Sequence, residues 1–534
     1  MASSCIRHTE LPHTTKLFAD FVYHFECVAR FYHHPPFDPE SYQAAAAELR
    51  FEPARRAALV EALRQEKQNT SPEALRNLDL LSQKGTPVVV AGQQVGLYTG
   101  PVFTIYKALS AAKLAADLTG RGIPTVPVFW LATEDHDLGE VNHVWMFDSS
   151  NRPLRLEAAA LARPNQPVGD VPLTDPAGES VRATLAGLPY GPQVSAMAAQ
   201  AYSGGATFAS GFKSLLAAIL APYGVLLLDP QSPAIRRLAA PLMAKAIQAA
   251  PQLTAALRAR GAELEQAGYH VQVHWEDKTS LFFLLEAGSR TALRRSGDSY
   301  ATEGATHSRS QLLSRLESSP EDFSPNVLLR PVVQDFLLPT VAYFGGPAEL
   351  AYLAQSEVLY RRLLGRMPVA APRASFTILD AKSDKLLSRY GLTVLDAMHG
   401  LAALEQRIAN TLVPDSLQNT FLAAHDQLEN ALESVNTQLL GFDPTLAAAW
   451  GGSRRKIQYQ LGKIRDKVGR ESLRRADRAR ADAAWLNHLI FPEKIRQERL
   501  YSVLPFLARH GVELIGRLYD AIHFDCRDHQ VLVA

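Results

Sequence analysis

The chain divides by the rhythm of its apolar positions. Up to about residue 380, short β-branched or aliphatic runs alternate with longer helical stretches; beyond about Ser383 nearly everything reads as helix. Ser41 to Glu61 and Pro72 to Leu81 carry helix formers, and Pro35, Pro36 and Pro39 break the start, so residues 1–75 form a helical lead-in. Thr86 to Gly92 is an apolar run of the kind buried on both faces of a parallel sheet. A glycine-rich turn follows, then a helix through Tyr106 and Lys113 to Leu118, then a second run from Thr125 to Leu131. This strand–turn–helix–strand unit is the building block of a doubly wound sheet, although Pro124 and Pro127 weaken the second strand.

Tyr223 to Asp229 reads as another buried strand, with one helix after it from Ser232 to Ala267. His270 to Arg295 has hairpin texture around the run Leu281 to Leu285, Val327 to Ala371 returns to mixed α/β, and Arg373 to Leu379 is a last strand. Two later stripes, Leu428, Leu432, Val435, Leu439 and Ile457, Leu461, Ile464, Val468, recur at spacings of four, three and four. Gly441 to Pro444 and the pair Gly451 and Gly452 punctuate them as helix breaks, which predicts an antiparallel coiled-coil arm able to self-associate. The expected organisation is a first core part over 76–150, an insertion over 151–205, core again over 206–262, a β-rich insertion over 263–310 and core over 311–385. The helical coiled-coil domain takes 386–500, and 501–534 packs back on the body.

Composition narrows the function classes. With 534 residues the chain is too long for one hydrophobic core, and 47% hydrophobic against 20% charged residues is ordinary for a folded protein. Lysine plus arginine number 55 against 54 aspartate plus glutamate, so bulk charge gives no footing for nucleic acid. Cys5, Cys27 and Cys526 are too few and too scattered for a disulfide framework or a zinc cluster. The first residues lack a signal-type apolar core and no window resembles a membrane span, so the expectation is a soluble cytoplasmic chain without a membrane partner.

Three segments carry candidate chemistry. In the first, Gly92, Gly96 and Gly100 allow close backbone approach; Thr99 is placed to cap the helix, and Thr104 and Lys107 share a face near its start. The open helix start would receive an anion, with Gln93 and Gln94 adding amide groups. In the second, Glu134, Asp135 and Asp137 crowd around His136 beyond a strand's carboxyl end, with Asn142 and His143 following. One of these groups could take a proton from an amine; a divalent ion on His136, His143 and the carboxylates is the competing reading, without any HxH or HExxH spacing to support it. In the third, a strand through Tyr343 enters Gly345 and Gly346 before a helix bearing Glu349, with Arg330 as a carboxylate or phosphate clamp and Gln334 and Asp335 nearby. Lys382-Ser-Asp-Lys385 and the basic stretch 454–480 are weaker candidates for holding a nucleotide.

Taken in order, GQQVGLYTGPVFTIYKALSAAKLA (92–115), PVFWLATEDHDLGEVNH (127–143) and LLRPVVQDFLLPTVAYFGGPAELAY (328–352) resemble the signature blocks of the BshC family. VLLLDP at 225–230, GYHVQVH at 268–274 and LPFLARHGVELIGRLYDAI at 504–522 extend the resemblance over nearly the whole chain. The end DHQVLVA departs from the family's paired histidines, leaving His529. The resemblance implies an α/β fold with a Rossmann-like core of the class I synthetase or nucleotidyltransferase kind, connecting-peptide insertions and a C-terminal antiparallel α-helical coiled coil.

It also implies a ligase that adds L-cysteine to glucosaminyl-malate in bacillithiol biosynthesis. Cysteine's carboxylate would be activated by ATP with Mg²⁺, and no tightly bound metal is expected. Asp135 or His136 would accept the amine's proton and Lys107 would complete the catalytic set. Gly92, Gln93, Gln94, Gly96, Thr99, Gly100, Thr104, Glu134, Asp137, Asn142, Arg330, Gln334, Asp335, Tyr343, Gly345, Gly346 and Glu349 would bind nucleotide or substrate, in a homodimer. Two alternatives stay open: a zinc-assisted ligase on a related amino-sugar acceptor, and a non-catalytic nucleotide-binding scaffold dimerised by its coiled coil.

Overall fold

The computed structural model describes residues 4–276, 278–302 and 304–534. Its centre is a five-stranded parallel sheet: β1 (Val88–Gln94), β2 (Val126–Ala132), β3 (Leu226–Leu228), β4 (Thr340–Gly345) and β5 (Val369–Pro372). Their spatial order is β5-β4-β1-β2-β3. The order reverses between β1 and β4, which makes that junction the topological switch point of a doubly wound sheet.

The apolar runs are continuous because both faces are covered. Val89, Ala91, Phe129 and Leu131 enter one core, with helix α1 (Phe103–Gly120) and the C-terminal helices. Val88, Val90, Val128 and Trp130 enter the other, with the N-terminal lead-in, Pro233–Gln248 and helix α2 (Pro347–Leu363). Pro127 is accommodated inside β2 because β3 pairs with β2 only from Val128 onward, so the missing amide falls where one side of the strand is unpaired.

Several expected elements change on folding. The single helix after β3 is two, Pro233–Gln248 and Ala250–Gln266, with Pro251 in the first turn of the second. The region 151–205 contains helices Gly178–Leu185 and Gly191–Ala201. The hairpin Thr279–Glu286 with Ser289–Ser296 grows into a five-stranded antiparallel sheet that recruits Phe323–Pro325, beyond the expected edge of that insertion. Phe376–Leu379 leaves the core sheet and pairs with His529–Val533, which also pairs with Ser4–Ile6. That pairing brings the Cys5 and Cys526 thiols to 3.6 Å.

The arm consists of Asp415–Phe442 and Pro444–Arg474. The turn falls at Asp443, whose carboxylate accepts from Thr445 N–H at 2.8 Å, whereas Gly451 and Gly452 lie inside the second helix. Part of the basic stretch is spent within the arm, where Arg454 meets Glu429 at 2.6 Å and Glu433 at 2.7 Å. No helix among the described residues is long and apolar enough to cross a membrane.

The edge strand β3 is finished by a side chain. Asn69, 2% exposed, donates to the carbonyls of Leu63 and Leu227 at 3.0 Å each and accepts from Leu227 N–H at 2.8 Å. Asn69→Leu takes this partner from the buried Leu227 N–H and C=O, at about 1–3 kcal/mol per group, whereas Leu63 O keeps the Glu66 N–H at 3.3 Å. We expect a lower thermal midpoint and faster hydrogen exchange at the Leu227 amide.

Candidate active site

A cleft of about 470 Å³ opens at the carboxyl ends of β1 and β4, at the switch point. Its lining draws on all three sequence segments: Gly92, Gln93, Gln94 and Lys107 from the first; Glu134 and Asp135 from the second; Arg330, Tyr343, Gly346 and Glu349 from the third. At Gly92 a Cβ would meet the Trp130 carbonyl at 2.9 Å, so only glycine lets β1 lie this close to β2.

Lys107, one turn into α1 and 2% exposed, reaches back under the strand ends. Its ammonium donates to Gly92 O at 2.9 Å, to Gln93 Oε1 at 2.8 Å and to the Glu349 carboxylate. An ammonium has three protons, and all three are used inside the protein. Glu349 also accepts from Tyr343 O–H at 2.6 Å and from Gly346 N–H at 2.8 Å. Burial opposes the charge on Glu349, but Lys107 and these two donors hold its carboxyl below the usual range; burial pushes the Lys107 ammonium down. Gly345, which ends β4, packs against Glu349: a Cβ there would lie 3.0 Å from the Glu349 Cβ.

The acidic loop is sorted by its partners. Glu134 is buried and tied to Arg236 at 2.8 Å and to Ser324 Oγ at 3.1 Å. Asp135 has no lysine or arginine at ion-pair distance among the described residues; its Oδ2 accepts from Gln94 Nε2 at 2.5 Å. The same amide donates to Glu140 at 2.8 Å. His136 is half-buried beside Asp135 and meets Arg290 at 3.1 Å. Asp137 is exposed and caps the short helix Leu138–Val141, and Asn142 donates to Glu157 at 3.0 Å; neither lines the cleft.

Arginines supply the cleft's positive charge. Arg330 donates to Gln334 Oε1 at 3.1 Å and Tyr352 O–H at 2.9 Å, both neutral. Arg373 is clamped on buried Glu498 through contacts of 2.8 and 2.9 Å, leaving its buried Nε without a partner beside Gly346. Arg499 stands exposed at the rim. Among the described residues Arg290, Arg330 and Arg499 have no carboxylate at ion-pair distance, so three guanidinium groups line the cleft without a direct ion pair.

Other sequence expectations land elsewhere. The start of α1 is not open to a ligand: Val102 N–H donates to Tyr501 O at 2.7 Å, and Ser502 Oγ donates to Tyr98 O at 3.0 Å. Thr99 does not cap it. Tyr98 and Thr99 take positive φ (50° and 71°), the Thr99 and Thr104 hydroxyls are buried without partners, and Gly96 and Gly100 pack on each other. Gln334 touches the site only through Arg330, and Asp335 turns into the core to accept from Tyr360 O–H. Lys382 lies over the Trp485 ring. His136 and His143 do not converge with carboxylates: among the described residues no group of three or more His, Cys, Asp or Glu side chains is placed to hold a metal ion. Conversely Arg290, Asn326, Arg373 and Arg499 line the cleft without having been singled out. Each is an isolated residue in an unremarkable stretch, and only tertiary contact marks it.

The same blocks that build this cleft are diagnostic by comparison. Residues 1–374 match the family model described as bacillithiol biosynthesis BshC, N-terminal Rossmann-like domain, and residues 376–534 match its C-terminal coiled-coil domain. The chain belongs to the BshC family. Relatives named "Putative cysteine ligase BshC" come from Solibacter usitatus, 51% identical with all of both chains covered, and Koribacter versatilis, 37% identical with all of both covered. A third, from Salinibacter ruber, is 33% identical over 97% of this chain and 96% of its own. The BshC boundary between the two matched regions falls beside Arg373, the residue whose guanidinium bridges them through Glu498.

Two outcomes follow. Lys107→Met strands a buried Glu349 charge and should cost about 3–5 kcal/mol, while Lys107→Met with Glu349→Leu should recover much of it; urea midpoints of both variants check this. The second concerns acid. His529 is fully buried between Ser375 Oγ at 2.7 Å and Thr377 Oγ1 at 2.8 Å; burial, reinforced by Arg496 and Arg373, pushes it down to about 4. Between its ordinary value of 6.5 and about 4 the unfolded chain therefore binds the extra proton, so stability falls as pH drops through that window. Glu498 adds to the loss at lower pH: burial opposes its charge, yet Arg373 holds it well below the usual carboxylate range. Urea midpoints should decline from pH 7 to pH 4, and His529→Gln should flatten the upper part of the decline.

Proposed function

We propose that this cleft ligates L-cysteine to the amine of glucosaminyl-malate, the last step of bacillithiol synthesis, by ATP-dependent activation of the cysteine carboxylate. Support comes from BshC membership and from relatives named as cysteine ligases. The observation that carries the reading is one cleft lined by Arg290, Arg330 and Arg499, none with a carboxylate at ion-pair distance among the described residues, together with Asp135, which has no lysine or arginine at that distance among them. Such a cleft suits reactants that are anionic throughout: nucleotide phosphates, malate and the amino-acid carboxylate.

In the proposed reaction the cysteine carboxylate displaces pyrophosphate from ATP, giving the acyl adenylate. The amine attacks its carbonyl, the C–N bond forms and AMP leaves with the bonding pair. Arg330 holds a carboxylate or phosphate, and Asp135 takes the proton the amine must lose. Lys107 fixes the cleft floor and contributes its charge, its protons being committed to Gly92, Gln93 and Glu349. Mg²⁺ entering with ATP would neutralise phosphate charge. The arm leaves Leu422, Leu440, Phe442 and Ile464 exposed, which supports a homodimer, and a biosynthetic ligase fed by ATP belongs in the cytoplasm.

The test is mass spectrometry of the full chain with cysteine, ATP and glucosaminyl-malate. The amide and AMP are expected; their absence, together with no exchange of pyrophosphate into ATP, overturns the reading. Asp135→Asn should lower the rate by about 10²–10⁴-fold. Arg330→Met should weaken binding of an anionic substrate by about tenfold or more, seen as a raised KM.

A further inference from the structure

The contact between Arg290 and His136 fixes more than position. Arg290 comes from the hairpin strand Ser289–Ser296, far along the chain from the acidic loop. Every part of its guanidinium is held: Nε donates to Ser324 Oγ at 3.1 Å, one terminal nitrogen donates to Pro325 O at 2.9 Å, and the plane lies 3.7 Å from the centroid of Phe283. Its remaining nitrogen stands 3.1 Å from His136 Nδ1. The His136 ring rests against the same Phe283, at 5.8 Å between centroids.

Arginine has donors only and keeps its proton. The contact is therefore a hydrogen bond only if Nδ1 accepts it, and in a neutral imidazole the proton then sits on Nε2. An imidazolium would set N–H against N–H and charge against charge. The anions facing the ring are Asp135 and Asp137; the nearer Asp135 oxygen is 3.8 Å from Nδ1, too far for a hydrogen bond, and already accepts from the His136 backbone N–H at 2.8 Å. Glu134 lies beyond Ser324, bound to Arg236.

We propose, resting on the ligation above, that His136 serves it as a neutral hydrogen-bond donor through Nε2–H, that the proton acceptor is Asp135, and that Arg290 is the positioning residue that sets this tautomer. His136 is not itself part of the cleft lining, but its neighbours Asp135, Phe283 and Arg290 are, so Nε2–H suits a developing oxyanion or a phosphoryl oxygen at the cleft's edge. It also separates two neighbouring groups that sequence alone leaves interchangeable as bases.

The experiment combines spectroscopy with rescue. In the full chain labelled with ¹⁵N-histidine, the signals lost in His136→Gln identify this ring. Its Nδ1 should keep the shift of an unprotonated nitrogen and Nε2 that of an N–H between about pH 5 and 8; a proton on Nδ1, or ordinary titration in that window, overturns the assignment. In Arg290→Gln the ring should regain titration; the wild-type spectrum decides the tautomer even where that variant fails to fold. In the ligation assay His136→Ala should lose about 10²–10³-fold, while His136→Gln, which can donate but cannot accept a proton, should stay within about tenfold of wild type. Equal loss in both variants overturns the donor role. A wild-type chain that makes no amide overturns the ligation and the role together, and leaves the tautomer to the spectrum.

Discussion

Everything at the switch point hangs on the buried contact between Lys107 and Glu349. One side chain belongs to the helix after the first strand, the other to the helix after the fourth, so the pair ties together the two halves of the sheet where their winding reverses. Burying two charges is costly, and it is tolerable here because every proton and most lone pairs are used: three acceptors surround the ammonium, and the carboxylate has two further donors. The pair joins the two sides of the crevice without consuming the arginines that line it.

Those arginines come from every part of the chain. The core strand ends supply the floor, the β-rich insertion supplies Arg290, the segment before α2 supplies Arg330 and the C-terminal region supplies Arg499 and the counter-ion of Arg373. The burial of Glu498 beneath Arg373 sorts the charges: one guanidinium is neutralised from below, while Arg330 is hydrogen-bonded to the neutral Gln334 and Tyr352 and forms no ion pair among the described residues. Within a recess of low effective dielectric an unpaired guanidinium attracts an anion several times more strongly than it would in open water.

The sheet was readable from the sequence because doubly buried strands leave uninterrupted β-branched runs, as in Val88 to Ala91, and because Gly345 and Gly346 announce a strand-to-helix turn. The arm was readable from its four–three spacing. Cleft floor and acidic loop were readable as well, since Gly92, Lys107, Asp135, Arg330 and Glu349 sit in blocks with dense local chemistry. The rest was hidden for a physical reason: side-chain partners at long range carry no local signature. Val102 N–H reads as a free helix-start donor until Tyr501 arrives from 399 positions away, Asp335 reads as a ligand group until Tyr360 takes it, and nothing near Arg290 hints at His136. Gly451 and Gly452 mislead in the opposite sense, since a helix anchored by Asp443 and Pro444 runs through them.

The late arrival of Tyr501, Ser502 and Glu498 has a consequence for biogenesis. The Rossmann-like half is synthesised first, so the Val102 amide and the Arg373 guanidinium lack these partners until the later segment is made. Only when the stretch from Arg496 onward emerges can His529–Val533 pair with Phe376–Leu379 and Ser4–Ile6, Glu498 reach Arg373 and Tyr501 reach Val102. Assembly of the cleft is thus coupled to the region around Glu498 and Tyr501, and a chain cut short before it exposes the Val102 amide and the Arg373 guanidinium to water and to proteases.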